Sequence, residues 1–164
     1  MASTEHNDGA QLMTNIETRI EGSERLLGIF GYWPSFHDAE VIELHFWRGD
    51  ANPDSGSYHL PILTVKLHVW EITNNVDDEG YFERVKHTLT TIRFHDVDEF
   101  KMEGFNHQNA ILGLHIAEQQ GSQGPAAVLS VNFRPAFGMM AEFTCLRIGL
   151  LDASPCTEDG VPKG

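Results

Sequence analysis

The sequence predicts an α+β protein, mostly β, with an antiparallel sheet of about six strands and one or two short helices at the N-terminus. Apolar and polar side chains alternate along much of the chain after residue 39, as in half-buried strands. Short segments rich in Gly, Asp, Asn and Ser separate these stretches. Because runs of strands are not interleaved with long helices, an antiparallel sheet with helices at one end or face is favoured.

Two short helices are predicted before the first strand. The first covers residues 11–21, where apolar side chains recur every four residues: Leu12, Ile16 and Ile20. Ser23 is placed to cap a second helix over residues 24–30, which Gly31 would end. Pro34 then fixes its own φ and favours an extended Trp33, so the helix cannot continue.

The predicted strands cover residues 39–47, 58–71, 85–95, 126–133 and 139–151. A loosely alternating segment follows at 97–103, and the apolar element at 110–117 is compatible with strand or helix. The loop 48–57 is dense in turn formers, and a hairpin closed there would place Leu44 opposite Leu63 and His45 opposite Ile62. The two apolar sets then share one buried face.

The first two predicted strands contain tetrapeptides of similar sequence. Leu44-His45-Phe46-Trp47 and Leu67-His68-Val69-Trp70 have the same order of residue types. Each predicts a histidine and a tryptophan on the outward face of its strand, since side chains of a strand alternate between faces.

The length of 164 residues suits one domain, predicted over residues 11–152, with a polar N-terminal tail at 1–10 and a disordered C-terminal tail at 153–164. No apolar run approaches the roughly 20 residues of a membrane span, and the N-terminus does not resemble a secretory signal. Cys145 and Cys156 match no disulfide framework or zinc spacing. These features predict a cytoplasmic protein.

The formal net charge of −13 is the strongest compositional signal. Such a surface repels nucleic acid and anionic membranes, and it accelerates encounter with a basic partner. The chain also lacks a basic patch with interleaved aromatics, so we predict neither a nucleic-acid nor a membrane partner. Solubility alone is the alternative explanation of the charge.

Sequence signatures of catalysis are missing. The chain has no Walker loop, dinucleotide glycine pattern, Gly-x-Ser-x-Gly elbow or His-Glu-x-x-His, so no cofactor is predicted. Cys145 lies in an apolar strand and is interpreted as a core residue. His45 could meet His68 or His37 on a sheet, but a metal site needs three converging ligands and no spacing indicates one.

His37 and Asp38 form the most suggestive polar dipeptide. They could act as an acid–base pair, with the carboxylate fixing the imidazole tautomer. Alternatively, Asp38 or Ser35 caps a turn, and adjacent residues of an extended chain point to opposite faces, which favours the structural interpretation. Trp33 and the nearby Phe36 are expected to pack against the sheet rather than stack on a ligand.

A second polar segment, residues 104–109, reads Gly-Phe-Asn-His-Gln-Asn. Its four hydrogen-bonding side chains are those of Asn106, His107, Gln108 and Asn109. Such a loop suits either contact with a partner or satisfaction of backbone groups in a tight connection. The sequence does not separate the two.

Two stretches, Trp33-Pro-Ser-Phe-His-Asp-Ala-Glu-Val41 and Glu103-Gly-Phe-Asn-His-Gln-Asn109, together resemble the immunity protein 50 family of bacterial polymorphic toxin systems. In order and spacing the resemblance covers about residues 30–151. It implies a protein that protects the producing cell by binding a co-encoded toxin, and it supplies no catalytic residues. We call the two stretches the first and second motif.

The leading hypothesis is therefore an immunity-type, non-enzymatic protein that neutralises a cognate toxin, expected to be basic, by stoichiometric association through an acidic surface. The candidate partner-binding residues are Trp33, His37, Asp38, Trp47, Trp70, Asp77, Asp78, Glu79, Asn106, His107, Gln108 and Asn109. A second acidic segment is formed by Asp96, Asp98 and Glu99.

Two further hypotheses stay open at this point. One is a small metal-assisted or acid–base enzyme that uses His37, Asp38 and an outward histidine such as His45 or His107. The other is a homo-oligomer in which Trp47 and Trp70 are buried in a self-interface.

Overall fold

The computed structural model describes residues 15–119 and 127–164. It contains a 3-10 turn, Ile16–Arg19, and one helix, α1, Glu24–Phe30. The strands are β1 Ile20–Glu21, β2 Glu40–Trp47, β3 Asp50–Asn52, β4 Ser57–His59, β5 Ile62–Val76, β6 Phe82–His95, β7 Asp98–Glu103, β8 Ile111–Glu118, β9 Leu129–Pro135, β10 Met140–Cys145 and β11 Arg147–Pro155. Within these residues no helix is long and apolar enough to cross a membrane.

The strands form two main sheets. One has the order β1-β11-β6-β5-β2, the other has the order β7-β10-β9-β8, and β3 and β4 form a separate ribbon. All neighbours are antiparallel except β1 and β11. The predicted class, α+β and mostly antiparallel β, is confirmed.

A single core joins the two sheets. Phe94 of β6 lies edge-on to Phe133 of β9 and Phe143 of β10, with ring centroids 6.0 and 5.0 Å apart. Leu63, Val65, Leu67 and Val69 are buried together, as the alternation in this strand predicts.

The predicted first helix is wrong over the part that the structure describes. Residues 16–19 form a 3-10 turn, and Ile20 then enters β1, which pairs in parallel with Ile148 of β11. Residues 11–14 lie outside the described residues, as does the predicted 1–10 tail. Because an isolated short helix is marginally stable, pairing of Ile20 with the sheet can override the four-residue spacing.

The hairpin between β2 and β5 is offset by two residues from the expected register. Leu44 lies opposite Val65 and His45 lies opposite Thr64. Since the side-chain period of a strand is two, this shift leaves both residues on their expected faces. The additional ribbon β3–β4 occupies the predicted loop, and a register shift between Val41 and Glu43 leaves Ile42 exposed.

The predicted strand 139–151 is two strands in different sheets. β10 belongs to the four-stranded sheet and β11 to the five-stranded sheet, with Leu146 between them. The Leu146 N–H donates to the carbonyl of His95, which fixes the chain where it crosses between sheets. Local alternation does not reveal such a crossing, because both halves are strand-like.

The expected disorder of residues 153–164 is also wrong. β11 continues to Pro155, and the N–H of the buried Cys156 donates to the carbonyl of His87. Thr157 to Val161 then forms a turn, and Cys156 pairs with Pro162. We call residues 156–163 the C-terminal strap, because Gly160 approaches His68 on the outer face of β5.

Candidate partner-binding groove

A two-stranded arm projects from the five-stranded sheet. β2 pairs with β5 only as far as His68, and β11 pairs with β6 only from Thr88 onward. Residues 70–87, which we call the arm, therefore continue as a β5–β6 hairpin past their neighbouring strands. A β-hairpin face without a covering layer is available for contact with another molecule.

The acidic turn at the tip of the arm has one structural carboxylate. Oδ1 of Asp77 accepts hydrogen bonds from the N–H groups of Glu79 and Tyr81, both at 2.9 Å. The N–H of Gly80 also donates to the carbonyl of Asp77. Asp77 therefore closes the turn, while Asp78 and Glu79 are exposed.

The arm forms one wall of a groove with a volume of about 910 Å³. The opposite wall combines the start of β2, the second motif and the β9–β10 connection, so the two motifs and the arm meet here. The lining residues are Asp38, Glu40, Trp70, Ile72, Asp77, Glu79, Tyr81, Phe82, Glu83, Arg84, Gln108, Ala110, Ala136, Phe137 and Glu158.

The groove is strongly acidic: its lining carries six carboxylates and one guanidinium. Three carboxylates are used internally. Besides Asp77, Glu40 accepts the N–H of Asn109 at 2.6 Å, and Glu83 accepts hydrogen bonds from Thr73 and Asn75, both at 3.1 Å.

The other three carboxylates are those of Asp38, Glu79 and Glu158. Asp38 Oδ2 lies 3.1 Å from Nδ1 of the exposed His37. Within the described residues, the side chains of Glu79 and Glu158 make no hydrogen bond or salt bridge. Glu79 and Glu158 can therefore receive a cationic group from outside, and Asp38 can do so with its second carboxylate oxygen.

Trp70 and Arg84 form a cation–π pair inside the groove. The Arg84 guanidinium lies 5.3 Å from the centroid of the Trp70 ring. In the described part of the chain Arg84 makes no salt bridge with a carboxylate, and the buried Nε1 of Trp70 has no hydrogen-bond partner. The groove's own cation is thus held by an aromatic ring rather than by an ion pair.

The first motif shapes the rim of the groove through its backbone. Phe36 and Asp38 have φ values of 60° and 63°, an uncommon conformation for residues other than glycine. Ser35 Oγ accepts the N–H of His37 at 3.2 Å, which confirms the predicted turn cap. Trp33 packs edge-on against the buried Phe36 at 5.4 Å, which confirms their predicted packing role.

The argument that His37 and Asp38 point apart is wrong. Their side chains are in contact because the positive φ of Asp38 takes this dipeptide out of the extended conformation assumed in that argument. Both are partly exposed, and Asp38 lines the groove while His37 faces a smaller neighbouring cavity.

The second motif is mainly a closed network of hydrogen bonds. Asn109 is 2% exposed, and its Nδ2 donates to the carbonyls of Val41 and Asn106 at 3.3 and 2.7 Å. Its Oδ1 accepts the N–H of Asn106 at 2.9 Å, and Asn106 Oδ1 accepts the N–H of Gln108 at 2.9 Å. Asn106 and Asn109 therefore satisfy the backbone, whereas Gln108 lines the groove and His107 is exposed outside it.

The two motifs are joined by backbone hydrogen bonds. The N–H of Val41 donates to the carbonyl of Asn109 at 2.9 Å, and the N–H of Ile111 donates to that of Ala39 at 3.0 Å. Gly138 completes this corner, because a Cβ there would lie 2.2 Å from the carbonyl oxygen of Gln108. The spacing of the motifs in the sequence thus reflects one structural unit.

Several predicted site residues do not line the groove, and some of them lie at the other end of the sheet. Trp47 is opposite Ile62, eight residues along β5 from Trp70, or roughly 26 Å at strand rise. The second acidic segment belongs to the same distant end, since the N–H of Val97 donates to the carbonyl of Pro61. Trp33 is half-buried in the core, and Asp78 lies on the arm's turn without lining the groove.

The proposed histidine ligands do not converge. His45 lies opposite Thr64, while His68 lies opposite Glu40, which separates the two by several positions along the pair. His68 Nε2 instead lies 3.0 Å from Nδ1 of His87. Among residues 15–119 and 127–164, no group of three His, Cys, Asp or Glu side chains is arranged to hold a metal.

Sequence reasoning missed the exposed aromatic residues of the groove. Tyr81, Phe82 and Phe137 are 68%, 61% and 66% exposed. A signal was available, since each lies beside a turn marked by Gly80 or Gly138. Because none of the three lies in a predicted strand or in a candidate polar segment, alternation gave no reason to single them out.

Cys145 has the properties of a core residue. Its side chain is buried, and burial, with a smaller contribution from Asp96, raises the pKa of its thiol to about 12. Because the thiolate is the nucleophilic form, this thiol is inert in the folded protein.

Comparison with known proteins gives one family match. A family model described as Immunity protein 50 matches residues 22–155, from just before α1 to the end of β11. No curated protein matches the chain. No solved structure matches it either. The matched range includes both motifs, the arm and every groove-lining residue except Glu158.

Proposed function

Because the chain belongs to the immunity protein 50 family, we propose that it neutralises a cognate toxin by stoichiometric association through its acidic surface, without catalysis of its own. The toxin-neutralising role follows from the family. The one-to-one mode, the acidic surface and action in the cytoplasm are the parts that need testing.

The observation that carries the proposal is the convergence at the groove. Asp38 from the first motif, Gln108 from the second and Glu79 from the arm line one concave surface, although they lie far apart in the sequence. A concave surface with exposed aromatics and unpaired charges has the composition of a protein interface. The net charge of −13 adds long-range attraction for a basic partner.

The test is co-expression with the product of the adjacent open reading frame. If that product is toxic, we expect the chain to restore growth and the two proteins to elute as a one-to-one complex by native mass spectrometry. A toxic neighbour that is not rescued, with no complex formed, would contradict the proposal.

The acid–base enzyme is the second candidate, and the 3.1 Å contact between His37 and Asp38 is the observation that favours it. The two hypotheses differ in what His37→Gln does. Neutralisation by binding should survive this substitution almost unchanged at saturating concentration, since the exposed ring lines no wall of the groove. Loss of rescue with the complex intact would favour the enzyme.

Self-association is distinguishable from both. The groove end and the Trp47 end both expose aromatic residues, so a homo-oligomer would bury one of them. Light scattering over a hundredfold concentration range measures this directly. A constant monomer mass would exclude a self-interface as the function of Trp47 and Trp70.

A further inference from the structure

We infer that the groove formed by residues 70–87 and the two motifs binds a positively charged segment of the toxin, which inserts lysine or arginine side chains between the arm and the rim. This inference rests on the proposed function and specifies its surface and the chemistry of its partner.

The first argument is the distribution of unused charge. Asp38, Glu79 and Glu158 line the groove from the rim, the arm tip and the C-terminal strap, and the latter two have no partner among the described residues. A cation entering between them would meet carboxylates from three sides. Carboxylate pairs with lysine or arginine are strengthened when the partner excludes water.

The second argument is that Arg84 does not neutralise these carboxylates. Its guanidinium lies over the face of the Trp70 ring, 5.3 Å from the centroid, and makes no salt bridge with a carboxylate of the described residues. The acidic character of the groove is therefore retained in the free protein. An acidic partner would be repelled there, which makes a basic occupant the one that the charges select.

The third argument is the aromatic content of the same surface. Tyr81 and Phe82 project from the arm, and Phe137 faces them from the β9–β10 connection. Exposed aromatic side chains supply large contact areas for the aliphatic stems of lysine and arginine and for cation–π contacts. The carboxylates and the aromatic rings of the groove thus both favour lysine and arginine side chains of the partner.

The other large cavity has a different composition. It measures about 480 Å³ and lies on the four-stranded sheet, where Lys101 forms a salt bridge with Glu142 at 3.5 Å. Its charges are therefore partly satisfied within the protein. This contrast favours the groove, rather than the cavity on the four-stranded sheet, as the site for the basic segment of the toxin.

The experiment uses the full chain and the purified product of the adjacent open reading frame. The groove variant combines Asp38→Asn, Glu79→Gln and Glu158→Gln. The matched control combines Glu21→Gln, Glu43→Gln and Asp54→Asn, which removes the same charge from exposed residues outside the groove. Asparagine is chosen at position 38 because it tolerates the positive φ.

We expect the groove variant to raise the Kd by roughly 10- to 1000-fold, with a lower association rate and a weaker salt dependence, and the control to change it by less than about 3-fold. Equal losses in both variants, or no loss in the groove variant, would overturn the inference while leaving the proposed function intact. Failure of the wild-type chain to bind would instead contradict the proposed function.

A second measurement does not depend on the variants folding. Hydrogen exchange of the wild-type complex should show slowed exchange at residues 70–87 and at the second motif, relative to the free protein. Protection confined to the Trp47 end would overturn the inference, even if the complex is tight and neutralisation is complete.

Discussion

Two tetrapeptides with the same order of residue types have different environments in this protein. In residues 44–47, Phe46 and Trp47 are substantially exposed and His45 lies on a sheet-edge strand. In residues 67–70, His68 is 6% exposed and Trp70 is half-buried. His68 therefore lies on the predicted outward face of its strand, but at this position that face is covered.

The difference comes from what covers each face. The C-terminal strap passes over β5, and a Cβ on Gly160 would lie 3.2 Å from Nδ1 of His68. His87 hydrogen-bonds to the other ring nitrogen, and Trp70 packs edge-on against the ring at 4.9 Å. Strand alternation assigns a residue to one face of the sheet, but a segment far away in the sequence decides whether that face is exposed to solvent.

The largest expected difference in stability is between alanine substitutions of the two histidines, His68 and His45. His68→Ala should lower the free energy of unfolding by about 2–3 kcal/mol, because it removes a buried ring and leaves Nδ1 of His87 unpaired. His45→Ala should change it by less than about 0.5 kcal/mol. Urea unfolding of both variants measures this, and equal losses would show that the strap does not distinguish the two sites.

The pH dependence of stability should follow the covered pair. Burial, then the nearby His87 and Arg84, lowers the pKa of His68 to about 4, while Asp159 opposes the shift. Burial and Arg84 likewise lower the pKa of His87, against the influence of Glu158. Between pH 6.5 and about 4 the unfolded state binds more protons, so this stability is present above pH 6.5 and is lost as the pH falls.

We expect this loss to be on the order of 1–2 kcal/mol, less than the full shift would give, since His87 is partly exposed and solvent screens the charges around the pair. Unfolding curves of the wild type, His68→Gln and His45→Gln over pH 4–8 measure the contribution of His68 to the pH dependence of the free energy of unfolding. The wild type and His45→Gln should lose stability in parallel. If the free energy of unfolding of His68→Gln falls with pH as steeply as that of the wild type, the covered histidine pair is not the cause of the loss.

The smallest effect tests the strap itself. Gly160 and Gly56 both have positive φ, 75° and 66°, but a Cβ meets His68 at the first and open space at the second. Substitution by alanine strains both backbones by about 1 kcal/mol. Gly160→Ala should cost a further ~0.5–1 kcal/mol from crowding the ring. Identical thermal unfolding of the two variants would argue against close packing of the strap.

Much of the fold was predictable because its causes are local. Alternation in β5 placed Leu63, Val65, Leu67 and Val69 in the core, and Gly31 ends α1 in a left-handed conformation as predicted. The predicted cap by Ser23 is wrong, because this residue itself has a helical backbone conformation and its side chain makes no capping hydrogen bond. The turn at Ser35 was likewise readable from its own residues. The break at Leu146 was not, because the residues on both sides favour strands and the change of sheet depends on the carbonyl of His95.

The candidate site was predictable only in part. Asp38, Trp70, Asp77, Glu79 and Gln108 line the groove, whereas Asn106 and Asn109 serve the backbone and Trp47 lies at the other end. Polar residue type indicates that a side chain can make hydrogen bonds. It does not indicate whether the partner is the chain itself.

The sequence by itself determined the mostly β class, the acidic charge and the family, because composition, alternation and motif residues are properties of the chain as written. Only the tertiary structure decided that the two motifs form one corner, that the arm outruns its neighbouring strands and that the strap covers His68. The physical reason is that each of these depends on contacts between residues far apart in the sequence, whose register and crossing points are set by packing of the whole core.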